Sequence, residues 1–227
     1  MTLPAVILVT GTDTDVGKTI TTAALAAVLA ARGLTVAVYK PCQSGAAGAV
    51  WDISEVLRLA GAHRAENGVL LAEPLAPVQA ARLEGAELPP LSVHAARIAE
   101  LAAGADHVLV EGAGGLLVEL DAAGGTLADL AALTGPDTGC VVVARPGLGT
   151  LNHVALTLEA LHRRDLTVLG LVLGTWPQAP VPAEHGNRRV FTGGRVPLLG
   201  VLPERAAQLA PAEFRRRAVE WLSGLPA

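Results

Sequence analysis

At 227 residues, 51% hydrophobic and only 3% aromatic, the chain has the length of one α/β domain and must build its core from Val, Leu, Ile and Ala. That composition suits a mostly parallel sheet covered by helices on both faces. A net charge of −4 argues against a nucleic-acid partner or an anionic membrane surface. Cys42 and Cys140 have no metal or redox spacing and are read as reduced thiols of a cytoplasmic protein. No Lys or Arg precedes Lys18, and the apolar run before it is too short for a signal peptide or a membrane span.

An apolar strand over residues 5–9 runs into Val9-Thr10-Gly11-Thr12-Asp13-Thr14-Asp15-Val16-Gly17-Lys18-Thr19, and an alanine-rich helix is expected over 17–32. Strand, glycine loop and helix start are the context of a phosphate-cradling P-loop. Consecutive backbone N–H groups converge on one spot, Lys18 adds a full charge, and the Thr19 hydroxyl can ligate magnesium. The usual G-x-x-x-x-G-K-S/T spacing wants glycine where this chain has Thr12, and Gly11 sits one residue early. The expected fold class is therefore a single P-loop NTPase-like domain over 1–227, a three-layer α/β sandwich.

A second strand, 34–39, delivers Lys40 to Gly45 at its carboxyl end, where ligands bind in open α/β sheets. Only two of the seventeen basic residues are lysine, Lys18 and Lys40, which points to sites wanting a compact ammonium. A helix over 52–60 begins at Asp52, equally readable as an N-cap or a metal ligand. Residues 61–91 read as a covering loop with a short helix near 78–86, and 92–103 as a helix capped by Ser92 with His94 on its surface. A buried strand at 107–110 ends in Glu111-Gly112-Ala113-Gly114-Gly115, placing a carboxylate where P-loop enzymes hold magnesium or its water. A short extension at 116–120 and a helix over 126–133 with Asp129 facing out follow. The strand at 138–144 leads through Arg145 into an amphipathic helix over 150–161, and Gly149, Thr150, Leu151 and Asn152 form a second helix-start anion site. His153 is read as structural rather than catalytic. A strand at 167–173 stops at Gly174-Thr175, 178–196 reads as poorly ordered or one short helix, and the strand at 197–202 leads to Pro203 and Glu204 at the ligand edge. A closing helix over 211–223 carries Arg215 to Arg217 as a solvated face.

Gly-Thr-Asp-Thr-x-Val-Gly-Lys-Thr, Tyr-Lys-Pro-x-x-Ser-Gly, Val-Glu-Gly-Ala-Gly-Gly, Leu-Gly-x-Leu-Asn-His and Pro-Leu-Leu-Gly occur in one order along nearly the whole chain. In that ordered set the chain resembles the dethiobiotin synthetases, whose loop carries the same early glycine. The resemblance implies a homodimeric, Mg2+- and ATP-dependent ligase, or one using another nucleoside triphosphate. It would carboxylate 7,8-diaminononanoate with CO2 and close the ureido ring through a carbamate and its phosphorylated anhydride. It further implies magnesium on Thr19, Asp52 and Glu111, with phosphates on Lys18. Lys40 would stabilise the carbamate, and Thr14, Ser44 and Gly114 would lie near the reacting amines. Gly149 to Asn152 of a partner subunit would hold the substrate carboxylate. Thr12 to Ile20 (Thr12, Asp13, Thr14, Asp15, Val16, Gly17, Lys18, Thr19, Ile20) would surround the nucleotide together with Gly174, Thr175, Pro203 and Glu204.

Two departures from that pattern stand out. Gly174 occupies the position at which familiar members use Asn to read adenine, so weak discrimination among triphosphates is expected. The segment between Ser44 and Asp52 is short, which loosens the alignment of Asp52 relative to that of Glu111. The rival readings are a cobyrinate-type amidoligase, which needs a glutaminase for which no Cys/His pair has suitable context, and a partitioning-type switch ATPase. The latter usually has a second loop lysine, where this chain has Thr12, and a basic or amphipathic contact surface.

Overall fold

Seven apolar or half-apolar runs supply the strands of one sheet. In a computed structural model, which describes residues 2–47 and 51–226, the elements follow as β1 (Val6–Gly11), α1 (Lys18–Ala31), β2 (Val36–Gln43), α2 (Asp52–Ala60), β3 (Arg64–Leu70), α3 (Pro77–Glu84), α4 (Leu91–Ala102), β4 (His107–Gly115), α5 (Leu127–Leu133), β5 (Thr138–Ala144), α6 (Thr150–His162), β6 (Thr167–Trp176), α7 (Pro182–Thr192), β7 (Leu198–Pro203) and α8 (Pro211–Trp221). The sheet order is β3-β2-β4-β1-β5-β6-β7, with every pairing parallel. Successive strand residues point to opposite faces. Ile7 and Val9 therefore join the core beneath α1, α2 and α8, whereas Val6 and Leu8 join that beneath α4, α5, α6 and α7. Three layers with β1 at the centre put the loop after β1 in the middle of the sheet's carboxyl edge.

Several elements differ from expectation, each for a local reason. Residues 61–91 are not only a covering loop: Arg64–Leu70 is an edge strand paired with β2. Its charged, half-exposed residues hide the strand signal while protecting a free edge, and Glu66 is bridged to Arg97 of α4. With that neighbour present, β2 continues through Lys40 to Gln43, so Lys40 lies within a strand and faces Asn67 in register. In the same way β4 runs on through Glu111 to Gly115, and β6 passes Gly174 to end at Trp176. Residues 116–120 form no strand beyond a single antiparallel bridge between Glu119 and Thr126. Segment 178–196 resolves as the helix branch of its reading, α7. Pro90 occupies the N-cap of α4, so Ser92 does not cap it. Asp129 is exposed as expected and completes a capping box with Thr126.

His94 is the clearest reversal. It is 1% exposed, packs inward on the sheet and shares a 2.7 Å hydrogen bond with the Tyr39 hydroxyl. Burial pushes its pKa below the ordinary 6.5, against a weaker opposing pull from Asp121. A base whose folded pKa is depressed contributes stability that is present above its unfolded pKa and lost as pH falls through the folded one. Melting temperature should therefore fall between about pH 7 and pH 5. His94→Gln, which keeps a polar partner for Tyr39 and does not titrate, should shrink that fall; an undiminished fall would remove His94 as its source.

Candidate active site

The loop between β1 and α1 is held from both sides. Thr12 donates its N–H to the Val143 carbonyl of β5 (2.9 Å), and the Val16 side chain is buried in the core, leaving only its backbone for a ligand. Asp13 turns the loop by accepting the Thr14 N–H (2.8 Å), and its carboxylate is paired with Arg145. Asp15 has φ 56°, a left-handed backbone that a non-glycine residue seldom adopts. Gly17 follows at φ 95°, and a Cβ there would lie 2.5 Å from the Gly174 carbonyl oxygen. A Cβ on Gly174 would in turn lie 2.1 Å from the Val16 carbonyl oxygen. The phosphate loop thus packs directly on the end of β6 through two glycines. Lys18 opens α1, is buried, and donates to the Asp13 carbonyl at 3.0 Å. Burial lowers its pKa and Lys40 adds to the effect, while Glu111 is the main opposing influence.

Next to that loop, Glu111 is 0% exposed, in register with Val9 of β1. Its Oε1 accepts from Lys40 Nζ (2.7 Å) and from the Thr19 hydroxyl (2.8 Å), while Oε2 is buried with no partner among the described residues. Lys40 also pairs with Asp52. Burial acts to lower the pKa of Lys40, but Glu111 and Asp52 outweigh it and hold the ammonium charged above its usual range. Asp52 is the first residue of α2 rather than its N-cap; Trp51 holds that position, and the Asp52 N–H donates to Gln43 Oε1 (3.1 Å). Among the described residues no group of three or more His, Cys, Asp or Glu forms a metal cluster. Two carboxylates, one of them with an oxygen that has no partner among the described residues, and one hydroxyl do suit magnesium, a hard cation that keeps several waters and shares ligands with phosphate.

One cleft of about 870 Å3 brings together Thr14, Lys18, Thr19, Ile20, Lys40, Ser44, Asp52, Glu111 and Gly114. Gly114, at φ 63°, stands against Thr14, whose Oγ1 is 3.7 Å from where a Cβ would be. Pro74, Leu75 and Val118 add apolar surface to the lining of the cleft. Gly149 to Asn152 do not line this cleft within one chain. Gly174, Thr175, Pro203 and Glu204 lie outside it as well, joined to one another where Trp176 pairs with Pro203 and accepts the Glu204 N–H at 2.9 Å. Sequence reading missed Gln43, which lines the cleft and orients Asp52, and Arg145, which holds Asp13. For Arg145 the signal was its position directly after a buried strand at the ligand edge.

A family model described as an AAA domain matches residues 5–212. The chain is 45% identical to the ATP-dependent dethiobiotin synthetase BioD of Mycolicibacterium vanbaalenii, over 98% of this chain and 100% of that protein. It is 48% identical to the protein of the same name from Mycobacterium avium, over 92% of this chain and 91% of that one. Among solved structures it resembles the septum site-determining protein MinD of Pyrococcus horikoshii, complexed with Mg-ADP, at a TM-score of 0.55 and 18% identity over 96% of each chain. That last likeness is one of fold alone.

The glycine contact makes a prediction about the loop. Gly174→Asn should weaken triphosphate binding at least about tenfold, because backbone rather than a flexible side chain blocks the new Cβ. Unchanged affinity in a direct titration would show that the loop yields freely there.

Proposed function

The chain belongs to the dethiobiotin synthetase family, and from that premise we propose that it closes the ureido ring of dethiobiotin from 7,8-diaminononanoate and CO2 with turnover of ATP. The observation that carries this reading is the buried Lys40 ammonium, held between Glu111 and Asp52 on the wall of the cleft that the phosphate loop also lines. CO2 adds to one amine of the substrate, which loses a proton and becomes a carbamate. A carbamate oxygen attacks the γ-phosphorus and expels ADP, giving the mixed anhydride. The second amine attacks the anhydride carbonyl carbon, expels phosphate, loses a proton and closes the ring. Each step builds or moves negative charge, so positioning and charge neutralisation supply most of the catalysis.

Lys40, charged at neutral pH, acts as an electrostatic clamp on the carbamate rather than as a base. Lys18 and those loop N–H groups between Thr12 and Thr19 that are not already bonded, as Thr12 is to Val143 and Thr14 to Asp13, take the phosphates, with Ile20 beside them. Thr14, Ser44 and Gly114 border the amines. Thr19, Asp52 and Glu111 would hold magnesium, which would neutralise phosphate charge when bound. The substrate carboxylate goes to the start of α6, from Gly149 to Asn152 of a partner subunit in a homodimer. Leu151 and Asn152 in that first turn are exposed, which supports the anion role. The base rests near Gly174, Thr175, Pro203 and Glu204. Gly174 offers no side chain there, which supports weak discrimination among bases.

Incubation with 7,8-diaminononanoate, bicarbonate and Mg2+ should yield dethiobiotin by mass with ATP, and with CTP and GTP at kcat/KM within about tenfold of ATP. No product with any nucleotide would sink the reading, and a large ATP preference would refute relaxed base choice. Lys40→Gln should lower kcat by about 10²–10³-fold with nucleotide affinity little changed; a near-wild-type rate would refute the clamp.

A further inference from the structure

The turn that starts α6 is set from outside its own helix. Asn187 of α7 is 8% exposed, and its Nδ2 donates to the carbonyls of Pro146 (2.8 Å) and Gly147 (3.1 Å). Two carbonyl acceptors require the amide NH2 to face them, which fixes the orientation of the side chain. The Gly147 carbonyl also accepts the Thr150 N–H (3.3 Å), and Gly149 accepts the His153 N–H (3.1 Å). Among the described residues this leaves the N–H groups of Leu151 and Asn152 without acceptors, so they are the pair available to an anion. The same five-residue link carries Arg145, whose guanidinium holds Asp13 of the phosphate loop.

We propose that Asn187 is a positioning residue for the substrate carboxylate. By clamping the Pro146 and Gly147 carbonyls it holds the turn that aims the Leu151 and Asn152 N–H groups, and so it acts through α6 without touching substrate. This rests on the reading of the α6 start as the carboxylate site. A side chain that merely stabilised the fold would affect every substrate alike. One that tunes carboxylate recognition affects only substrates that carry the carboxylate.

The test uses two diamines, 7,8-diaminononanoate and the same vicinal diamine lacking the carboxylate, with the full-length protein and ATP. Asn187→Ala should raise KM for the acid about tenfold, with KM for ATP and kcat/KM for the carboxylate-free diamine within about twofold of wild type. Asn187→Asp, which sets a carboxylate against two carbonyls, should raise the acid's KM further. Asn187→Ser, retaining one donor, should fall between wild type and Ala, and it carries the same test if the Ala variant does not fold. An unchanged KM for the acid, or equal losses on both diamines, overturns the proposal. If the wild-type protein uses both diamines equally well, the carboxylate reading of α6 falls first and this proposal falls with it.

Discussion

A carboxylate buried to 0% exposure in a central strand is costly unless its charge is answered, and Glu111 answers it with Lys40 and the Thr19 hydroxyl. Those partners come from β2 and from the first turn of α1. One buried charge therefore registers three segments, the end of β4, the end of β2 and the start of the helix behind the phosphate loop. Apolar packing on the two faces brings the strands together without specifying how the carboxyl edge is arranged; satisfying Glu111 does specify it. The remaining oxygen is also buried, with no partner among the described residues, so its charge is answered only through the other oxygen of the same carboxylate.

The phosphate loop depends on a second constraint, of space rather than charge. Gly17 and Gly174 meet backbone to backbone, so the loop can approach β6 closely only while both positions lack side chains. This gives a physical reason for glycine at position 174: it lets the loop settle onto the sheet. On the proposed placement of the base, its recognition and the loop packing compete for the same few ångströms.

Much of this was legible in the chain. Apolar runs before Gly11, Glu111 and Arg145 located the inner strands, and the ordered motifs located the site, because buried parallel strands and glycine loops leave strong local signals. What stayed hidden depended on neighbours. The edge strand at Arg64–Leu70 is charged because it guards an edge, and without it neither the extension of β2 nor the strand setting of Lys40 could be seen. His94 reads as a surface residue because its polar partner among the described residues, Tyr39, lies 55 positions away. Asp52 reads as a helix cap or a metal ligand alike because nothing nearby in sequence reveals that Lys40 reaches it.

The economy of lysine now has a structural account. Arginine serves the exposed pairs, where its planar fork and permanent charge suit carboxylates such as Glu55 and Glu66. The two lysines sit where the surroundings pull their pKa values apart: Lys18 lowered chiefly by burial, Lys40 held high by two carboxylates. A guanidinium in place of Lys40 would bring five donors where Glu111 and Asp52 each present one oxygen to the ammonium, and on the proposed reading it would fill the space of the carbamate. The compact cation lets one residue satisfy Glu111 before substrate arrives and still present charge to an anion formed beside it. The central ion pair and the proposed electrostatic clamp therefore share one nitrogen.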